Sequence, residues 1–324
     1  MNKTPSPFIP PQGVMPFLHL ARNFFTNFPM QWLIPPNTKV VFVSDFFKRE
    51  LSGGAELTTE ALIETAPCKV FRLNAVNLTR KLILENKDVH WVLGNVTQAS
   101  PEALGTLVND NIAYSCLEFD FKYCRYRSET LHQMDAKTPC DCITTIHGRN
   151  AAILLLKAKH VFWMSEKQKA LYCKRIPDLL SKTNGVVLSS CFSKKDLETF
   201  KTLREAIPYD SKRPITAMLG SGTWIKGLDA TEAYLKKNRM PYEKLPQLAY
   251  EDFLKKLATY QTFAFLPAGP DTCPRVVIEA KLLGCKQLTS DNVLHRDESW
   301  FSTIETAEEY LSNNTERFWA ALLG

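Results

Sequence analysis

The chain has 324 residues, of which 45% are hydrophobic and 23% are charged, and this balance excludes a disordered or fibrous protein. At about 100–200 residues per domain, the length favours two domains, each able to bury a core. The net charge of +6 suits anionic ligands such as nucleotides, and it is compatible with nucleic acid or an anionic membrane as a partner. The nine cysteines are irregularly spaced, which predicts reduced thiols and a cytoplasmic location rather than a disulfide framework.

Residues 1–37 are expected to form an N-terminal extension. The first eleven residues carry four prolines and no apolar core, so we expect no signal peptide. No stretch of about 18 apolar residues occurs, and a membrane-spanning helix is not expected. Residues 16–33 are rich in aromatic side chains, which would suit a peripheral membrane contact. Pro29 and the scarcity of basic residues favour packing on the first domain instead.

Residues 38–207 are expected to form a first domain with a parallel sheet. Short β-branched runs alternate there with amphipathic segments, a pattern typical of βαβ units. The helix after the first strand is expected at Leu57–Ala66. The expected strands are Lys39–Ser44, Val70–Leu73, His90–Leu93, Ile112–Cys116, Cys142–Ile146, Val161–Met164 and Val186–Ser190.

Residues 208–305 are expected to form a second domain of the same kind, after a polar linker at 208–214. Residues 306–324 predict a C-terminal helix that can cross back to the first domain. In parallel α/β sheets, ligands bind outside the carboxyl ends of the strands, so two facing sheets would line one cleft. The expected elements are strands at Ile215–Leu219, Phe263–Leu266 and Lys286–Thr289, and helices at Asp229–Lys237, Tyr250–Thr259 and Pro274–Leu283.

The strongest functional pattern lies at residues 266–284. A strand ends at Leu266, a Pro/Gly loop follows, and a helix begins near Pro274. The free amides of the first helical turn, together with the helix dipole, favour a phosphate. Asp271 and Glu279 are separated by seven residues, and a carboxylate here can accept hydrogen bonds from ribose hydroxyls. The structural alternative is a cap residue followed by an exposed helical acid.

Glycine-rich turns follow the first strand of each domain. The turn at 220–227 lets the backbone approach a diphosphate, and Lys226 supplies a compact positive charge. In the first domain, Gly53-Gly54 opens the loop between strand and helix. A plain strand–turn–helix, or a tight turn capped by Ser52 or Glu56, would explain each pattern taken alone.

Taken in order, these segments resemble the motifs of retaining GT-B glycosyltransferases of family 4. The resemblance covers residues 39–284 and implies two Rossmann-like parallel-sheet domains that face a central cleft. It also implies transfer of a sugar from a nucleotide-diphosphate sugar to a glycan, lipid or protein-linked acceptor, with retention of anomeric configuration. Lys226 and Glu279 are only 53 residues apart, which is short for the family, so we expect a reduced second domain.

The resemblance also assigns residue roles. Lys226 would bind the diphosphate, Glu279 the ribose, and His147, expected at a strand end, would point at the transferred sugar; these three are the catalytic candidates. The family usually has Glu at Asp271 and often Arg at Ser221, so the sequence departs from the pattern twice. The other donor-binding candidates are Gly53, Gly54, Gly222, Thr223, Asp271, Thr272, Cys273 and Arg275.

Residues 118–127 should overhang the cleft after the strand expected at 112–116. They mix acids, cations and aromatic rings, as a carbohydrate or nucleotide acceptor site requires. Glu118, Asp120 and Arg125 are the acceptor-side candidates. A solvated loop is the alternative.

Three other functions were weighed. Seven Lys/Arg against two acids in residues 157–182 can form a solvated face or bind nucleic acid, which leaves open an enzyme of this fold that acts on nucleic-acid bases. The departures at Asp271 and Ser221 leave open a non-catalytic module that binds nucleotide-sugar. A Rossmann oxidoreductase is disfavoured because Gly53-Gly54 lacks the Gly-x-Gly-x-x-Gly pattern.

We expect no cofactor and no metal, with the nucleotide-sugar acting as co-substrate. The chain has no Asp-x-Asp motif, and the resemblance implies metal-independent transfer. A group of zinc-type ligands does occur within 19 residues, but Cys-x-Cys is a poor chelating pair and Cys142 is expected in a strand. These residues are Cys124, His132, Cys140 and Cys142.

Overall fold

The computed structural model describes residues 33–221 and 224–324. Residues 34–324 form one compact unit. The expectations for residues 1–32, and for Gly222 and Thr223, lie outside the described residues. Among the helices of the described part, none is long and apolar enough to cross a membrane.

Within the described residues, the first sheet has six parallel strands in the order β2-β1-β3-β4-β5-β6. Every residue of β1 is buried, as expected for a central strand with helices on both faces of the sheet. The strands are β1 Val40–Ser44, β2 Val70–Asn74, β3 His90–Leu93, β4 Tyr114–Glu118, β5 His160–Trp163 and β6 Asn184–Val187.

Serine caps begin several helices of this half. Ser100 Oγ accepts a hydrogen bond from Ala103 N at 3.1 Å, and Ser193 with Asp196 forms a reciprocal capping box. These bonds satisfy amides that the first turn of a helix leaves without a partner. The helices are α1 Gly54–Glu64, α2 Arg80–Glu85, α3 Pro101–Asn109, α4 Glu129–Ala136, α5 Ile146–Leu156, α6 Glu166–Arg175, α7 Leu179–Lys182 and α8 Lys194–Ala206.

The second sheet, in the part of the chain that is described, has four parallel strands in the order β10-β9-β7-β8. The expectation of two parallel-sheet α/β domains is therefore confirmed. The sequence analysis missed β8, an edge strand whose charged residues Glu243 and Lys244 hide its pattern. The elements are β7 Arg213–Leu219, α9 Leu228–Lys237, β8 Tyr242–Leu245, α10 Tyr250–Ala258, β9 Tyr260–Phe265, α11 Arg275–Leu282, β10 Lys286–Thr289, α12 Ile304–Ser312 and α13 Asn314–Leu323.

The expected strand at Cys142–Ile146 is wrong. Residues Cys142–Thr144 form a 3-10 turn, and Thr145 Oγ1 caps α5 by accepting from Gly148 N at 3.3 Å. A Cβ at Gly148 would lie 2.0 Å from the carbonyl oxygen of Cys142, so the helix packs directly on the turn. The β-branched run resembled a strand, but Ile146 is 80% exposed and does not enter a core.

Two expected strands are displaced along the chain. The strand predicted at Ile112–Cys116 is observed at Tyr114–Glu118, and the one predicted at Val186–Ser190 is observed at Asn184–Val187. The first displacement changes the position of Glu118, which becomes the last residue of a buried strand instead of a loop residue.

The last helix, α13, packs on the first sheet. The Phe318 and Phe162 ring centroids are 4.6 Å apart, and Trp319 Nε1 donates to the Leu62 carbonyl oxygen at 2.9 Å. The chain crosses between the two sheets twice, and the crossings meet where Asn314 Nδ2 donates to the Leu188 carbonyl oxygen at 2.7 Å. Helix α8, by contrast, covers the second sheet through its buried Phe200.

Replacing Phe318 by alanine should lower the free energy of unfolding by about 3–5 kcal/mol, because a fully buried ring leaves a cavity between α13 and the first sheet. The measurement is equilibrium denaturation of the purified protein. Leu323→Ala on the same helix is the control, since Leu323 is 50% exposed and should change stability by less than about 0.5 kcal/mol. Similar small effects of both variants would contradict the packing of α13.

Candidate functional site

Loops at the carboxyl ends of the two sheets contact each other along one line, which is called the cleft below. The loop after β4 contacts the loop after β9, where Thr272 Oγ1 donates to the Phe119 carbonyl oxygen at 2.5 Å. The Asp45 carboxylate fixes the loop after β1 by accepting from the Thr97 and Gln98 amides at 3.0 and 2.9 Å. The cleft therefore lies at the position where parallel α/β sheets bind ligands.

The Gly53-Gly54 turn lies directly against the start of α11. A Cβ added to Gly54 would lie 3.5 Å from the Cβ of Arg275, which is ordinary van der Waals contact. Gly53 caps α1, and the buried Glu56 carboxylate turns back to the amide of Gly53. Burial raises the pKa of Glu56, while its backbone hydrogen bonds oppose the shift. Two motifs from different domains thus share one wall of the cleft.

Lys226 is placed beside the loop after β9 by the glycine that follows it. Gly227 has a φ of +66°, and a Cβ there would lie 1.9 Å from the Leu266 carbonyl oxygen. The close approach brings Lys226 Nζ to 3.1 Å from Asp271 Oδ2. The Lys226 side chain remains 36% exposed and that of Asp271 13% exposed. The structure therefore joins the expected lysine and the first expected acid as an ion pair.

The second acid, Glu279, belongs to a buried network. Its Oε1 accepts from Tyr250 Oη at 2.7 Å and from Arg275 Nε at 2.9 Å. The Arg275 guanidinium also donates to the Cys191 carbonyl oxygen, and its carbon lies 3.8 Å from the Phe192 ring centroid. Burial raises the pKa of Glu279, and the positive charge of Arg275 opposes that shift.

The remaining donor candidates on this loop are also buried. Thr272 contacts the first domain through Phe119, and the Cys273 carbonyl oxygen accepts from Ser190 Oγ at 3.1 Å. Thr272, Cys273 and Arg275 are each less than 8% exposed. In this arrangement their polar atoms bind residues of the first domain or its connection, so a part in donor binding stays a prediction.

His147 is exposed and lies in the first turn of α5, not at the end of a strand as expected. Its Nε2 lies 2.9 Å from the Lys122 carbonyl oxygen, which ties the ring to the loop after β4. Its proposed contact with a sugar remains a prediction.

The three acceptor-side candidates differ in accessibility. Glu118 is fully buried and binds Lys122 Nζ at 2.7 Å and Tyr172 Oη at 2.8 Å, so it does not line an open surface. Burial raises its pKa, and Lys122 opposes the shift. Asp120 is half-buried and pairs with Arg127 at 2.7 Å. Arg125 is exposed, and its guanidinium carbon lies 4.9 Å from the Tyr126 ring centroid.

Sequence reasoning missed Tyr250, Asp196 and Arg127. Asp196 Oδ2 accepts from the Ser193 amide at 2.9 Å and lies 3.4 Å from Arg275 Nη2. Of their roles, only the helix cap at the start of α8 could have been predicted, from the Ser193–Asp196 spacing. Tyr250 contacts Glu279 and Asp196 contacts Arg275, 29 and 79 residues away, and such contacts leave no local pattern.

The comparisons with known proteins give structural matches only. No protein-family model matches the chain, and no curated protein is similar to it in sequence. An α-glucosyltransferase solved with UDP-glucose and DNA containing an abasic site superposes with a TM-score of 0.50 and 9% identity, over 88% of this chain and 94% of that chain.

Two further solved structures are similar over the same share of the chain. HepE from Anabaena, solved with UDP and glucose, has a TM-score of 0.49 and 12% identity over 88% of this chain and 97% of its own. A UDP-GlcNAc 2-epimerase from Methanocaldococcus jannaschii has a TM-score of 0.48 and 11% identity over 88% of this chain and 99% of its own. At such low identities the similarity bears on the fold alone: the chain has the GT-B arrangement of two parallel-sheet α/β domains.

Proposed function

We propose that the protein is a glycosyltransferase that transfers a sugar from a nucleoside-diphosphate sugar. The observation that carries this proposal is the convergence of Gly54 and Arg275, which lie in different domains, at the carboxyl ends of both sheets. The Lys226–Asp271 ion pair joins the loop after β7 to the loop that leads into Arg275, and it adds a partly exposed cation. A partly exposed cation at this position suits a diphosphate.

Lys226 is the proposed ligand of the diphosphate. Its ammonium is partly exposed, and Asp271 holds it at the loop that leads into α11. We infer that Asp271 positions the lysine, while the lysine stabilises negative charge as it develops on the leaving phosphate. In this proposal Asp271 acts through Lys226, so its short side chain does not need to reach the donor.

Glu279 is the proposed partner of the ribose. Its Oε1 is already bound to Tyr250 and Arg275, and the residue is 3% exposed. Hydrogen bonds to ribose hydroxyls therefore require a change of partner or side-chain rotation on binding. Such a rearrangement is feasible because closure of the two domains around a ligand is a common step in enzymes of two domains.

The finer features of the proposed reaction follow from the resemblance to family 4. Transfer would proceed with retention, by attack on the same face as the leaving group, with the leaving phosphate accepting the acceptor proton. The acceptor would be a glycan, a lipid-linked or a protein-linked group that approaches past Asp120 and Arg125. His147 would orient the sugar, and the chemistry would need no metal.

Action on nucleic-acid bases is the second candidate, since the α-glucosyltransferase of similar fold was solved with DNA. The basic run at 157–182 gives it limited support. Lys167 pairs with Asp297 at 2.5 Å, Arg175 with Glu129 at 2.8 Å, and Lys182 with Asp178 at 2.5 Å. Charges neutralised within the protein contribute less to phosphate binding.

Lys226→Ala should weaken binding of UDP by about tenfold to a hundredfold, because a charged hydrogen bond to phosphate is lost. Uridine should bind the variant and the wild type alike, since it has no phosphate. Isothermal titration calorimetry with UDP, UMP and uridine measures both effects. UDP is the first nucleotide to test because it accompanies several of the solved structures of similar fold.

Lys255→Ala is the matched control, because Lys255 is 63% exposed and lies on α10. It should bind UDP as the wild type does. Equal losses for UDP and uridine, or unchanged UDP binding by Lys226→Ala, would remove Lys226 from the diphosphate site. Failure of the wild type to bind any nucleoside diphosphate at millimolar concentration would overturn the proposed function.

Slow hydrolysis of UDP-α-glucose should release α-glucose first, because a retaining transferase lets water replace the acceptor on the same face. Proton NMR during the first minutes, before mutarotation, distinguishes the anomers. β-Glucose as the first product would establish inversion instead. A donor isomerised without release would indicate an epimerase, and binding without any turnover of a panel of donors would indicate a binding module.

A further inference from the structure

The segment between β4 and α5 holds a second group of reactive side chains, outside the proposed donor site. Three thiols and one imidazole come together there, and their ligand atoms all lie within 4.8 Å of one another. The thiols are free, and none is in a disulfide. Three of the four residues are buried, so the group is not a chance grouping at the surface. These residues are Cys124, His132, Cys140 and Cys142.

The spacing of these atoms matches a tetrahedral metal site. Zinc binds sulfur at about 2.3 Å and imidazole nitrogen at about 2.0 Å, which places neighbouring ligand atoms roughly 3.5–3.8 Å apart. His132 Nδ1 lies 3.2 Å from Cys142 Sγ and 3.9 Å from Cys124 Sγ. The observed distances bracket the value that zinc requires.

Backbone amides are directed at two of the sulfur atoms. The amide of Tyr126 hydrogen-bonds to the sulfur of Cys124, and the amide of Cys142 to the sulfur of Cys140. His132 presents Nδ1 to the thiols and turns Nε2 towards Asp141 Oδ1, 3.9 Å away. Asp141 is exposed, and a small movement of its side chain would give Nε2 the hydrogen bond to a carboxylate that a metal-binding histidine usually makes.

The fold of this segment gives a second, independent reason for a metal. All eight residues of α4 are described, and its one buried residue is His132. Met134, an apolar residue of this helix, is 51% exposed. A short helix without a buried apolar side chain is not stable by itself, because helices of this length depend on packing. His132 is therefore the one side chain of α4 that reaches a buried environment.

We propose that this segment binds one Zn²⁺ through three thiolates and an imidazole. The three thiol protons pass to solvent on binding, and the imidazole binds in its neutral form. The sequence analysis disfavoured zinc partly because Cys142 was expected in a strand, and it lies instead in the 3-10 turn before α5. The ligands are Cys124, His132, Cys140 and Cys142.

The zinc site would hold a segment that lines the cleft. Thr130 of α4 packs so closely on Gly269 that a Cβ there would lie 2.7 Å from the threonine Cβ. Lys122, in the same segment, binds His147 through its carbonyl oxygen. A metal at the base of α4 would thus fix the wall against which the loop after β9 packs. Zinc is structural here and is separate from the chemistry of sugar transfer.

The test is metal analysis of the full chain purified with reductant and without a metal-binding tag. The wild type should retain about one zinc per chain against a weak chelator, as a closed four-ligand site does. Co²⁺ alone, added to stripped protein, should give the visible and charge-transfer absorption of a tetrahedral thiolate complex. Stripped protein should melt at a lower temperature, become cleavable by protease within residues 119–145, and recover both properties with Zn²⁺.

Cys142→Ser should bind zinc more than about 100-fold more weakly, since removing a direct ligand costs more than removing a residue behind one. Cys173→Ser, a partly buried thiol on α6, is the matched control and should bind like the wild type. If Cys142→Ser does not fold, the Co²⁺ spectrum of the wild type decides the question. Cobalt bound without thiolate absorption, zinc retained equally by both variants, or a disulfide within the group that persists in protein purified with reductant would overturn the proposal.

Discussion

The arrangement of the cleft depends on one buried guanidinium. Arg275 begins α11 in the second domain, yet its guanidinium bonds to Cys191 and packs on Phe192 in the connection between the sheets. Its ion pair with Glu279 fixes the carboxylate proposed for the donor ribose. Since removing one member of a buried ion pair leaves the other charged and desolvated, Arg275 and Glu279 are constrained to remain together. The Cβ of Arg275 also lies against the Gly53-Gly54 turn.

Much of the fold could be predicted from the sequence because its central strands are buried on both faces. The runs at β1 and β3 show the apolar or β-branched pattern that such strands require, and their positions are confirmed. The edge strand β8 was missed for the opposite reason, since its charged residues face solvent. The strand predicted at Cys142–Ile146 is wrong because Thr145, a β-branched residue, caps α5 instead. Local hydrogen bonding of the threonine side chain outweighs its strand propensity there.

The candidate site was less predictable, because its contacts join distant parts of the chain. The glycine turns and Lys226 carry local patterns that indicate a phosphate site. The bond from Thr272 to Phe119 spans 153 residues, and that from Arg275 to Cys191 spans 84, so neither leaves a trace in local spacing. The thiol–imidazole group shows the same limit: its Cys-x-Cys pair and the strand expected at Cys142 disfavoured a metal, whereas folding brings the four ligands together.

The double crossing of the chain between the sheets determines how the cleft can open. Asn314 bonds both Leu188 and Ser190, so the outgoing and returning segments lie side by side. Two connecting segments that are joined along one line permit rotation of the two sheets about that line, and they resist twisting or separation of the sheets. The cleft would therefore open by rotation about that line, with Asn314 on the axis and with Cys273 close to it, because Cys273 and Asn314 both bind Ser190. Opening in this way would leave the core of each sheet intact.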